Sequence, residues 1–148
     1  MPDETAARDT PPEPLVEAAA LREGLAPDTA SALARGTALY QRSRFFEAHE
    51  VWEEAWLREQ GETKSLLQGL ILCAAGLHKG VVQGSSNGCV RLLVSALARL
   101  TPLGADHGGV DLAAVRAGLE RALEVAHAWN GETGRAIERG DAPPITGR

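Results

Sequence analysis

The sequence predicts an all-α fold, a compact bundle of about four to five helices with a central apolar helix. No stretch alternates apolar and polar residues at period two over the length of a strand. Helical segments are separated by short clusters of turn residues, Gln60-Gly61-Glu62, Gly84-Ser85-Ser86 and Thr101-Pro102-Leu103-Gly104. One long segment, between the first two of these, is apolar almost all round, as the middle helix of a bundle must be. At 148 residues the chain suits one domain, since a fold of this size hides roughly 70% of its unfolded surface.

The elements follow in order. Residues 1–14 contain Pro11, Pro12 and Pro14 among small or charged residues and carry −3 of the net charge of −5. Too little apolar surface lies there to offset the entropy of ordering, so a disordered tail is expected. Leu15 to Leu25 reads as a short helix. Pro27-Asp28 then resets the chain, with Asp28 as N-cap of a helix to about Arg42 that buries Leu33, Ala34, Thr37 and Tyr40. Further helices are expected over about 45–58, 65–83, 87–100 and 112–129, the last capped by Asp111. The helical domain runs over 15–140, and residues 141–148 form a C-terminal extension.

The central helix carries Leu66, Leu67, Leu70, Ile71, Leu72, Cys73, Ala74, Leu77, Val81 and Val82. Gly69, Gly76 and Gly80 fall on one narrow stripe of it. Each costs about 1 kcal/mol relative to alanine, so the stripe implies a helix backbone packed closely on it, from this chain or from a second copy.

Composition narrows the function classes. Lys and Arg total 15 against 20 Asp and Glu, with no basic run interleaved with aromatics, so nucleic acid is not an expected partner. Nor is a membrane: the apolar stretch Leu66 to Val82 is interrupted by Gln68, His78 and Lys79 and falls short of the ~20 residues a bilayer core requires. The N-terminal residues have no apolar core of a signal peptide, and Cys73 and Cys89 stand apart among apolar neighbours. Both point to the cytoplasm.

Chemistry concentrates in Phe45-Phe46-Glu47-Ala48-His49-Glu50-Val51-Trp52-Glu53-Glu54-Ala55-Trp56. On a helical wheel Phe45, His49, Trp52 and Trp56 lie within about 60°, which puts His49 on a buried aromatic face with Glu53 beside it at i+4. One reading is structural, a buried imidazole paired with a carboxylate. The other adds His78, which faces inward from the central helix: His49, Glu53 and His78 then form an acid–base set around a polar pocket, or hold a divalent metal with an open position. Glu47, near the helix start, suits the helix dipole. Gln68 completes a capping box with Ser65, or enters the pocket if the helix begins earlier. No nucleophile motif, phosphate loop or cysteine-rich site is present, and no cofactor is expected apart from that metal alternative.

The run Phe46-Glu47-Ala48-His49-Glu50 with Glu53 and Trp56, followed by Leu67-Gln68-Gly69-Leu70-Ile71, Ala74-Ala75 and Leu77-His78, resembles the family called domain of unknown function 309, small all-α bacterial and archaeal proteins. The resemblance covers about residues 33–100. Where the family's pattern looks like Gly-Asn-x-x-Gly-Ala, this chain has Gly84-Ser85-Ser86-Asn87-Gly88-Cys89. The resemblance implies a compact helical fold and a polar cluster of Glu47, His49, Glu53, Gln68 and His78, and no reaction. Two functions are therefore expected as alternatives. In the first, a pocket lined by His49, Glu53, His78, Glu47, Trp52, Trp56 and Gln68 binds a small ligand or performs acid–base chemistry, with His49 as base. In the second, the protein associates with itself or a partner, and the cluster only fixes helix register.

Overall fold

The computed structural model describes residues 13–147. The expected tail falls outside them, except that Glu13 and Pro14 already belong to the first helix. The order is α1 (Glu13–Arg22), α2 (Pro27–Gln41), α3 (Phe45–Trp56), α4 (Gly61–Leu77), a π-helical turn (His78–Val82), α5 (Ser86–Leu100), a 3-10 turn (Thr101–Leu103), β1 (Asp106–His107), β2 (Val110–Asp111), α6 (Leu112–Asn130) and a last 3-10 turn (Arg139–Asp141). The fold is all-α, with six α-helices among the described residues.

Helices adjacent in sequence pack on one another, and α4 lies between α3 and α5. Short connections enforce this arrangement. After α2, Ser43 adopts φ +64, its N–H donates to the Tyr40 carbonyl at 2.8 Å and that of Arg44 to Leu39 at 3.0 Å. This Schellman closure satisfies the last carbonyls of α2 and sends α3 back along it. Trp52, fully buried, is the keystone of the α2–α3 contact: its indole N–H reaches the Leu33 carbonyl at 3.4 Å, and its ring lies over Gly36. Leu33, Ala34, Thr37 and Tyr40 are all buried, as their spacing requires.

Several boundaries differ from expectation. Pro27 opens α2 and Asp28 sits in its first turn, since proline suits the first helical position, where its fixed φ is already helical and an N–H would have no partner within the helix. The central helix begins at Gly61, four residues before Ser65, so the Ser65–Gln68 capping box does not form. Gly61, with φ +65, supports the sharp entry from the extended Gln60 rather than a break. With the π turn, the run Gly61–Val82 is 22 residues and long and apolar enough to cross a membrane by length and composition; 56% of its apolar 18-residue window is buried in the bundle, as in a core helix. Asp111 does cap α6, accepting from the Ala114 N–H at 3.2 Å.

The glycine stripe is filled from within the chain. A Cβ at Gly69 would meet Leu100, one at Gly76 would lie 2.8 Å from Leu93, and one at Gly80 2.7 Å from Ile137 and 2.8 Å from Cys89. Helix α5 is the close-packed partner, and the stripe offers no surface to a second copy. Two short features escaped the periodicity. Gly108 and Gly109, at φ +57 and +78, turn a two-residue hairpin that pairs Asp106 with Asp111 and His107 with Val110. The C-terminal extension packs into the fold: Tyr40 donates to the Pro143 carbonyl at 2.6 Å, Gln41 to that of Ile145 at 2.8 Å, and Ile145 is buried.

Candidate functional site

The buried face of α3 consists of Phe45, Ala48, Trp52 and Ala55. Centring it on the aromatics and His49 placed it about 50° away around the helix, because the alanines, which let α2 and α4 approach, carry no size signal. The consequence is functional. His49 lies on the flank, its side chain 22% exposed, in line with Phe46, Glu53 and Trp56.

Phe46 is the organiser of this flank. Adjacent to Phe45 but turned about 100° from it, it cannot share the core and is 49% exposed. Its ring lies 5.5 Å from that of His49 and 5.2 Å from that of His78. The two imidazoles, one from α3 and one from the end of α4, thus share the Phe46 ring as a neighbour. His78 stands where α4 widens into the π turn, and its carbonyl accepts from the Gln83 N–H at 3.0 Å. Such turns often occur at functional sites.

Glu53 approaches His49 Nε2 to 3.9 Å, an electrostatic pairing too long for a hydrogen bond. His49 Nδ1 is buried with no hydrogen-bond partner. A proton there would be a buried donor without an acceptor, at a cost of about 1–3 kcal/mol, so the neutral ring carries its proton on Nε2. The nitrogen facing Glu53 and solvent is then a donor, and the free lone pair points into the protein.

The remaining sequence candidates separate. Glu47 is taken by Arg44, which donates to both carboxylate oxygens and holds the carboxyl below its usual range. Trp52 is fully buried in the core. Trp56 and Gln68 are near neighbours, but Gln68 lies ten residues from His78, about 15 Å along the helix, so one pocket does not contain the whole set. Gln68 instead shares a cleft of about 240 Å³ with Trp56, Gly61, Lys64, Ser65 and Arg99. Among the described residues no group of three or more His, Cys, Asp or Glu side chains is placed to hold a metal ion. Burial pushes the Cys73 thiol up to about 12 and that of Cys89 to about 11, so neither is a thiolate nucleophile near neutral pH.

Sequence reasoning passed over Phe46, Lys64 and Arg99 as site residues. The doublet Phe45-Phe46 was a readable signal, since on a helix buried along one face only, two adjacent large side chains cannot both point inward. Nothing in the sequence brings Arg99 to Trp56.

Fold and site together define a small helical-bundle domain with a histidine-bearing flank between two neighbouring helices. Residues 33–92 match the family model described as "Domain of unknown function (DUF309)", and over that segment the chain is similar to this family. The matched segment holds Phe46, His49, Glu53, Gln68 and His78, while Arg99 lies beyond it. A comparison with curated proteins finds no match.

Proposed function

We propose that the domain binds a small ligand at the Phe46–His49–His78 flank. The observation that supports this most directly is a half-exposed phenyl ring held against two imidazoles from different elements. A surface phenylalanine contributes little to folding, and here it offers an apolar platform bordered by polar groups, the usual composition of a ligand site. His49 presents an Nε2–H donor, and Glu53 holds a negative charge near it. The ligand this suits is flat and apolar with a hydrogen-bond acceptor at its edge, such as an aromatic amide.

The test uses benzamide and nicotinamide as probes, followed through the imidazole ring-carbon proton signals of His49 and His78 in NMR spectra. Saturable shifts of both signals are expected, lost in His49→Ala and Phe46→Ala while thermal unfolding stays within a few degrees of the parent. Unmoved histidine signals up to the solubility of both probes overturn the reading, as do shifts that survive both substitutions.

A further inference from the structure

At the other end of the α3–α4 interface, we infer that the cleft between Trp56 and Arg99 is an anion site, for the carboxylate or phosphate group of a small organic acid or phosphate ester. The inference stands independently of the histidine flank. Lys64, from α4, is held with Nζ 4.1 Å from the centre of the Trp56 ring, an arrangement that fixes an otherwise flexible ammonium. Arg99, from α5, lines the same cleft. Among the described residues neither cation has a carboxylate within 4 Å, although acidic residues outnumber basic ones in this chain. Elsewhere, Arg44 and Arg135 do find carboxylates.

The neutral polar groups are idle in the same way. The amide of Gln68 and the hydroxyl of Ser65 line the cleft and make no side-chain hydrogen bond within the described residues. Two like charges, an amide and a hydroxyl therefore border one concavity of about 240 Å³ with their donors unused. An anion between them relieves the repulsion and accepts from all four, and charge-assisted bonds are the strongest such contacts. A second groove of about 530 Å³ shares Gln68 and Arg99 and continues past Leu72 and Ala98 to Ser95. Its apolar side chains suit a short carbon body attached to the anionic head.

Inorganic phosphate, butyl phosphate and hexanoate serve as probes with the full chain, observed through the Trp56 indole N–H and Gln68 amide signals in ¹⁵N-resolved NMR spectra. Saturable shifts centred on these two residues are expected, with butyl phosphate or hexanoate bound more tightly than inorganic phosphate. Preference between the two organic probes assigns the head group. Lys64→Ala and Arg99→Ala should each weaken binding about tenfold or more, as loss of a charge-assisted bond requires, and Arg99→Glu should abolish it. Both positions are outside the core, so unchanged melting accompanies these losses. Absent or diffuse shifts in the parent, or shifts that persist in Arg99→Glu, overturn the assignment.

Discussion

The rings of Phe46 and His78 meet at 5.2 Å between centroids, joining the first turn of α3 to the end of α4. Because α3 and α4 run antiparallel through a short connection, two residues 32 positions apart close the open end of the pair. His49, one turn along α3, completes the contact.

This contact predicts a spectroscopic signature. Phe46→Ala should remove the ring-current shifts of both imidazoles while lowering stability by only about 1 kcal/mol, since half of the ring is already in water. Histidine proton shifts that are unchanged in the variant would show that the rings do not meet.

A second prediction concerns the α2–α3 contact. In Gly36→Ala the added methyl overlaps the indole of Trp52, a rigid side chain with no room to retreat. Overpacking of this kind costs about 1–3 kcal/mol, readable as a lower urea midpoint at an unchanged slope. A variant as stable as the parent would place the indole elsewhere.

The C-terminal segment carries a pH dependence. Both guanidinium NH2 nitrogens of Arg135 reach the Asp141 carboxylate at 2.8 Å, and the Glu138 N–H donates to it at 2.8 Å. The Arg135 bonds hold the Asp141 carboxyl below its ordinary 3.8, so its contribution is fully present above that value and is lost as pH falls through the lower folded-state value. Arg135 is half exposed, which limits the contribution to about 0.5–1 kcal/mol. Asp141→Asn should be less stable than the parent at pH 7 by that amount, the gap closing below pH ~3.8 in urea titrations. A gap that stays constant down to pH ~2 would remove the carboxylate from this role.

Much of the candidate site was legible in the residues. The run around His49, its i+4 carboxylate and His78 are read directly from spacing, and His49 and His78 each lie against Phe46. The face on which they sit was misjudged, for Ala48 and Ala55 are as buried as Phe45 and Trp52 yet carry no signal of size. A flank position for His49 turns a buried structural pair into a group with one nitrogen in the protein and one in reach of solvent.

The sequence by itself determined the helices, because periodicity, turn clusters and caps act through neighbours in the chain. It also implied that the stripe of Gly69, Gly76 and Gly80 needs a close partner, since backbone entropy spent on three glycines must be offset by packing. Only the tertiary structure decided that the partner is α5 of the same chain, that Gln68 joins Arg99 and not His78, and that the last residues lock onto Tyr40. These are contacts between segments distant in sequence, set by how helices of particular length and girth pack around a shared core, and no local pattern encodes them.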